Sequence, residues 1–188
     1  MNVRPDLRVS KAAFLERDAV EGERCELAGG CVVMMPRPSR GHGAIVMRLG
    51  ALLLTRLDPK RWDVIMEFGV DTGPETLRYP DVVVFPAGSP ARSYATHAPA
   101  LLAEVLSPST AEIDLGDKAA EYLELDSLLA YLVLSQDEPK AWTWSRASTS
   151  VPFTPAPKVI AGAEATIAVA GLQLELRMTE IYSGEAMA

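Results

Sequence analysis

The sequence predicts a mixed α/β domain, and three observations support that prediction. A glycine pair separates two short apolar segments near residue 30, two stretches carry apolar residues at helical spacing, and β-branched runs such as residues 82–85 lie between them. The resulting order is hairpin, helix, strands, helix and strands, which suits one mixed sheet with a helix on each face. With 188 residues, 48% of them hydrophobic, the chain can form a single domain over residues 1–188.

The first elements are predicted from turn and capping residues. Gly29 and Gly30 tolerate the positive φ of a tight turn, so the segments on either side predict an N-terminal β-hairpin. Ser39 is a suitable N-cap, and apolar residues recur at helical spacing from Ile45 to Leu53. The first long helix is therefore expected to begin at Ser39.

The central strands are predicted from apolar and β-branched runs. Residues 62–70 alternate and predict one strand, residues 74–79 predict a turn, and residues 82–85 predict a strand buried on both faces. A further buried strand covers residues 100–106. It is expected to end at the breaker Ser107-Pro108-Ser109.

The C-terminal half is predicted to contain one helix followed by strands. Residues 114–125 form the helix, because Leu115, Ala119 and Tyr122 fall on one face, and both Ser109 and Asp114 are suitable caps for its start. The apolar segments 128–135 and 140–146 then predict strands, and residues 151–176 predict additional short strands and turns.

The composition excludes several classes of protein. The longest apolar runs are far shorter than the roughly 20 residues that span a bilayer. Residues 1–18 carry charges throughout, so we expect a cytoplasmic protein without a signal peptide or membrane contact. Cys25 and Cys31 match neither a disulfide framework nor a zinc spacing. A formal charge of −7 weighs against a general electrostatic attraction to nucleic acid.

The charges are unevenly distributed along the chain. Residues 36–61 contain six basic residues and one acid, whereas residues 111–138 contain eight acids and a single cation, Lys118. Such runs are often solvated helix faces. The basic segment, Arg37 to Arg61, is nevertheless the better candidate for a surface that faces phosphate.

Three charged side chains accompany the predicted central strands: Asp81, Glu104 and Lys118. The two carboxylates sit in or beside apolar strands, where an ionised group is costly to bury without a partner. A Mg²⁺ or Mn²⁺ ion is one such partner, and the backbone carbonyl of Val105 would add a ligand of the same hard type. Lys118, on the following helix, could orient or help deprotonate an attacking water, or stabilise developing phosphate charge. The set predicts a metal-dependent phosphodiesterase.

Purely structural roles explain the same residues. Asp81 follows a proline and could cap a turn, and Glu104 could pair with an arginine. Lys118 could bridge to Asp114, four residues earlier. Spacing alone leaves both interpretations open.

Most of the chain resembles the Uma-type family of restriction-like endonucleases, within the PD-(D/E)XK nuclease superfamily. The resemblance rests on YPDVVVF, PALLAEVLSPST and DLGDKAAEYLEL, and on the N-terminal CELAGGCVVMMPRPSRGHG. It implies a restriction-endonuclease-like αβββαβ core that hydrolyses DNA with Mg²⁺ or Mn²⁺. Asp81 and Glu104 are then the metal ligands and Lys118 the catalytic lysine. Many such folds act as homodimers, in which each subunit would cut one strand.

The resemblance also identifies supporting residues and departures. Glu26 matches an acidic residue near the family's site, where it would bind metal or orient a neighbour, and His42 is a secondary candidate as a general base or phosphate donor. In the commonest arrangement of the superfamily, the catalytic lysine stands two residues after the second acid, where this chain has Leu106. The family pattern instead moves the lysine to the next helix, at Lys118. An acid that relatives carry in the hairpin is absent from residues 28–30, and Ser135 replaces an aspartate. The alternative is a non-catalytic nucleic-acid- or protein-binding module with the same fold.

Overall fold

The computed structural model describes residues 3–16, 24–107 and 111–183. The strands, in chain order, are β1 (Val3–Arg8), β2 (Cys25–Ala28), β3 (Cys31–Met34), β4 (Trp62–Met66), β5 (Gly69–Gly73), β6 (Thr76–Arg78), β7 (Val82–Pro86), β8 (Ala95–Thr96), β9 (Leu101–Leu106), β10 (Ala130–Ser135), β11 (Lys140–Ser145), β12 (Lys158–Ala161), β13 (Thr166–Val169) and β14 (Leu174–Arg177). The helices are α1 (Lys11–Glu16), α2 (Arg40–Arg56), α3 (Ala111–Leu115), α4 (Asp117–Leu123) and α5 (Met178–Ile181), with a short 3-10 turn at Ala170–Leu172.

The main sheet has the strand order β12-β11-β10-β9-β7-β4, in which β9 and β10 are parallel and the other pairs antiparallel. Alternate residues of β7 face opposite sides: Val84 packs in the core that includes α2, and Val83 packs in the core that includes α4. Helices α2 and α4 therefore cover opposite faces of the sheet. Among the strands of the main sheet and the two helices that cover it, the chain order is α2, β4, β7, β9, α4 and β10. This order confirms the predicted αβββαβ core.

A second sheet, of order β1-β3-β2-β6-β5-β8, contains the N-terminal hairpin. Gly29 and Gly30 adopt φ values of 55° and 79°, which confirms the turn predicted from the glycine pair. The additional C-terminal strands are also confirmed: β12 extends the main sheet, and β13 and β14 form a separate hairpin.

Helix α2 begins where the sequence predicts. The hydroxyl of Ser39 accepts a hydrogen bond from the His42 amide at 3.1 Å, which caps the first turn. The buried face of the helix includes Ile45, Leu49 and Leu53. Among the helices of the described residues, none combines the length and the apolar character needed to cross a membrane.

The strand predicted over residues 62–70 is wrong, because two strands of different sheets occupy this stretch. Glu67 separates β4 from β5 with a positive φ of 53°, which no extended strand tolerates. The turn predicted over residues 74–79 also contains a strand, β6, which pairs with β2 and β5. Leu77 is fully buried beside Leu27 in that pairing, so a short apolar contact holds the strand.

The helix predicted over residues 114–125 is divided in two. Gly116 leaves the helical region, with φ −110° and ψ −91°, so α3 ends at Leu115 and α4 begins at Asp117. Neither predicted cap is confirmed: Asp114 lies inside α3, and Ser109 lies outside the described residues. Lys118, in the first turn of α4, is 1% exposed and contacts Glu104 of β9.

Gly69 makes a testable contribution to the junction of β5 and β8. A Cβ atom at Gly69 would lie 2.5 Å from the carbonyl oxygen of Tyr94, so Gly69→Ala must displace backbone. We expect a loss of about 1–3 kcal/mol in the free energy of unfolding, measured by urea denaturation. Gly73→Ala is the matched control in the same strand, because nothing lies within 4 Å of its Cβ position. Equal effects of the two substitutions would contradict the steric account.

Candidate active site

A cleft of about 370 Å³ opens at one end of the main sheet. Asp81 immediately precedes β7, and the antiparallel register that pairs Val82 with Ala103 places Asp81 opposite Glu104 of β9. Both carboxylate residues line the cleft, together with Val105 and His42. The two predicted acids therefore lie on the same side of the sheet, and four of the predicted site residues share one cleft.

Asp81 is fixed by two neighbours. Its Oδ2 accepts a 2.7 Å hydrogen bond from the Val105 amide, and His42 Nε2 lies 3.1 Å from the same oxygen. The start of α2 thus contacts the start of β7 through a His–Asp pair. His42 Nδ1 is buried and makes no hydrogen bond within residues 3–16, 24–107 and 111–183.

Lys118 lies behind the cleft, in a cluster of carboxylates. Its side chain is only 1% exposed, and its Nζ lies 2.8 Å from Glu104, 3.2 Å from Glu26 and 3.4 Å from Asp114. The expected contact with Asp114 is present, but it coexists with the contact to Glu104. Glu104 also accepts a 3.4 Å hydrogen bond from the Tyr122 hydroxyl. Lys118 therefore joins the metal-ligand candidate Glu104 to Glu26 and Asp114.

Glu104 and Lys118 both have raised pKa values in this cluster. Burial raises the pKa of Glu104, attraction to Lys118 partly offsets that effect, and repulsion from Asp114 and Asp81 adds to it. Burial alone would lower the pKa of Lys118, but attraction to Glu104, Glu26 and Asp114 outweighs burial and raises it. Lys118 therefore stays charged at neutral pH. The carboxylates still outnumber their cations, so a further cation would be stabilised here.

Glu26 is completely buried and is held by three groups, one from α4 and two from the end of β6 and the residue after it. It contacts Lys118, accepts a 3.1 Å hydrogen bond from the Tyr79 amide, and accepts a 3.2 Å hydrogen bond from Arg78. Arg78 in turn donates to both carboxylate oxygens of Glu121 on α4. Of the two roles expected for Glu26, these contacts favour orienting a neighbour, because Glu26 is absent from the lining of the cleft.

The donor set fits a hard divalent cation. Mg²⁺ is commonly held by one or two carboxylates, with waters and phosphate oxygens completing its shell. Asp81 and Glu104 supply such a pair, and the excess of buried carboxylate gives the electrostatic incentive. Within residues 3–16, 24–107 and 111–183, no three His, Cys, Asp or Glu side chains form a group able to hold a metal. Any ion here would depend on water and substrate oxygens.

The structure adds residues that the sequence interpretation missed. Asp114 lines the cleft and is buried, and Glu67, which follows β4, also lines the cleft in an ion pair with Arg24. The basic segment does not converge on the cleft as a whole. Arg37 lines it, but Arg56 lies at the far end of α2 and pairs with Glu180. The sequence feature that could have placed Asp114 in the site is its i, i+4 spacing from Lys118.

Known proteins resemble this chain over most of its length. The chain is 27% identical over 134 residues to an uncharacterized protein, sll1609, of Synechocystis sp., and the match covers 68% of this chain and 75% of that protein. The crystal structure of a protein from Anabaena variabilis, described as a putative nuclease belonging to DUF820, superposes with a TM-score of 0.77 at 18% identity. That superposition covers 93% of this chain and 98% of the other, and at this identity it establishes the shared fold.

The sequence pattern of one protein family matches residues 12–177. The family is described as Uma2, putative restriction endonuclease. The matched range includes the hairpin, both flanking helices and every residue of the cleft discussed above. The chain therefore belongs to the Uma2 family of putative restriction endonucleases.

Proposed function

We propose that the chain is an endonuclease that hydrolyses phosphodiester bonds in DNA with Mg²⁺ or Mn²⁺. One observation carries the proposal: Asp81 and Glu104 face one cleft while Lys118 contacts Glu104 from behind. Family membership supports nuclease-like chemistry in general. A fold without catalysis has no physical need for this arrangement, because buried carboxylates in excess of their cations reduce stability.

The residues would divide the work according to their positions. Asp81, Glu104 and the Val105 carbonyl would hold the metal ion, which when bound neutralises phosphate charge and lowers the pKa of water. Lys118 would keep Glu104 in place and contribute positive charge near the phosphate. Its raised pKa favours these roles over that of a general base. Glu26 would fix the position of Lys118.

Cleavage by the purified protein tests the proposal. Wild type should cut plasmid and single-stranded DNA with Mg²⁺ or Mn²⁺ and lose activity when EDTA is added. Glu104→Ala and Lys118→Ala, purified in the same way, should be inactive. Equal cleavage by all three proteins would identify a contaminant and remove the assignment. DNA binding without cleavage in either metal would support the non-catalytic alternative, and an RNA substrate in parallel distinguishes the two nucleic acids.

His42 should influence cleavage through Asp81. His42→Ala removes the group that lies 3.1 Å from Asp81 Oδ2. Groups that orient a metal ligand typically change metal affinity or activity by about 10- to 100-fold, so we expect a loss of that size in cleavage at limiting Mn²⁺. His97→Ala is the control, because the side chain of His97 is 81% exposed and lies outside the lining of the cleft. A His42→Ala enzyme with an unchanged Mn²⁺ dependence would contradict this role.

The homodimer expected from the resemblance stays a prediction. In a dimer, each subunit would place one cleft on one strand of the DNA. The mass in solution, measured by sedimentation equilibrium, tests this prediction directly. A monomer that cuts both strands would contradict it.

A further inference from the structure

The cleft has an aromatic side that phosphodiester chemistry does not require. Phe14 of α1 and Tyr79 lie with ring centroids 6.5 Å apart and a 44° tilt, and both line the cleft with Tyr94. Leu15, also in the lining, is 45% exposed. The same cleft that holds Asp81 thus contains a partly exposed aromatic and apolar surface.

Tyr94 is the most exposed of these residues, at 73%. Its backbone is nevertheless fixed, because the Gly69 amide donates a 3.2 Å hydrogen bond to its carbonyl and β8 begins at the next residue. Gly69 permits this approach, since a Cβ there would meet the Tyr94 carbonyl at 2.5 Å. A large ring held by a rigid backbone and exposed to water is a ready surface for stacking.

Charge complements the aromatic side. Arg37 is exposed and lines the cleft, and Arg24 lines it in an ion pair with Glu67. Glu67 is held at a positive φ of 53°, a conformation that costs free energy in a non-glycine residue and is concentrated at functional sites. The cleft therefore offers carboxylates for a metal, a cation for a phosphate and aromatic faces for a planar ring.

On the basis of the proposed function, we infer that the cleft binds an unstacked nucleobase beside the scissile phosphate, with Tyr94 as the stacking partner. The substrate is then single-stranded or locally unpaired DNA. A base inside a duplex is stacked between its neighbours and cannot offer its face to a side chain. A volume of about 370 Å³ lies in the lower part of the range of small-ligand pockets, which suits a nucleotide.

The charge of the chain agrees with this inference. Affinity for duplex DNA comes largely from phosphate contacts by Lys and Arg, whereas this chain has a formal charge of −7 and only Arg37 of its basic segment lines the cleft. Stacking of bases on aromatic side chains is independent of net charge and tolerates any sequence. It can therefore hold a strand where electrostatic attraction is weak.

Binding without cleavage tests the inference. The probe is a fluorescein-labelled thymidine oligonucleotide with Ca²⁺ in place of Mg²⁺, and affinity is measured by anisotropy. Competitors are a duplex and an abasic oligonucleotide of equal length, which keeps the phosphates but lacks the bases. Tyr94→Ala should weaken binding of the thymidine strand about 10- to 100-fold and leave binding of the abasic strand unchanged. Tyr94→Phe should bind like wild type, and Val159→Ala, at an exposed position outside the cleft lining, is the control.

The outcomes separate this inference from the proposed function. Three results would overturn the stacking site, even if the enzyme cuts DNA. They are equal binding of the thymidine strand by wild type and Tyr94→Ala, preference of wild type for the duplex, and no binding by wild type. A stacking difference in a protein that cuts nothing with Mg²⁺ or Mn²⁺ would overturn the nuclease proposal and retain the base site. Thermal unfolding of Tyr94→Ala checks that the fold is unchanged, as expected for so exposed a side chain.

Discussion

Glu104→Gln should abolish metal-dependent DNA cleavage while the protein remains folded. The substitution keeps the shape of the side chain but removes a negative oxygen from the cleft. Charge stabilisation by a bound metal contributes several kcal/mol to a phosphoryl transition state, so the rate should fall by about 10³-fold or more. The fold should survive, because the amide oxygen of Gln can still accept the hydrogen bonds that Lys118 and Tyr122 donate to Glu104.

Two measurements are needed for this prediction. Single-turnover cleavage at saturating Mn²⁺ gives the rate, and urea denaturation gives the free energy of unfolding. Glu138→Gln is the matched control, since Glu138 is an exposed acid in a pair with Lys140 and should retain the full rate. If Glu104→Gln cleaves DNA as fast as Glu138→Gln, the carboxylate is not part of the reaction.

Lys118→Met should produce the largest loss of stability. The substitution preserves an unbranched side chain of similar length but leaves Glu104, Glu26 and Asp114 without the ammonium that contacts all three. Removal of one partner from a buried ion pair typically costs about 3–5 kcal/mol, and we expect that loss in the free energy of unfolding at neutral pH. Lys140→Met is the control, because Lys140 and Glu138 are 33% and 61% exposed, and such a solvent-accessible pair contributes less than about 1 kcal/mol.

The loss should depend on pH with a defined sign. The pKa of Lys118 is raised in the folded protein, so its stabilisation is fully present below the unfolded lysine value of about 10.4 and disappears as the pH rises through the folded value. The cost of Lys118→Met is therefore undiminished at neutral pH. The cost of Lys118→Met should shrink in acid. Because the pKa of Glu104 is raised, Glu104 takes up a proton as the pH falls and then no longer needs the Lys118 ammonium to balance its charge. A difference from wild type that grows in acid would contradict the carboxylate cluster.

Apolar patterning predicted that both acids accompany buried strands, but the register that brings the acids together comes from the structure. Residues 82–85 and 100–106 are so apolar that both strands must be central. Once they pair antiparallel, Asp81 at the start of one lies opposite Glu104 in the other. The hairpin and the cap at Ser39 were predictable, since glycine pairs and N-cap hydroxyls act locally.

The surroundings of Lys118 were not predictable from the same patterns. A run of eight acids is typical of a solvated face, yet Asp114 is buried beside Lys118 and Glu121 pairs with Arg78. The division of the helix at Gly116 and the arrival of the second sheet create this burial, and both depend on tertiary contacts. The backbone turn at Glu67 is likewise invisible in an alternating pattern. Local propensity predicts elements better than it predicts which charged faces turn inward.

The position of a bound ion tests the central claim most directly. Crystals of the wild type soaked in Mn²⁺ should show anomalous density between the carboxylates of Asp81 and Glu104, with metal–oxygen distances of about 2.1 Å, and Glu104→Gln crystals should lose it. The account predicts density at that position in wild type and no density there in the variant. No density in the cleft, or the same density in both proteins, would contradict a metal-dependent site at Asp81 and Glu104.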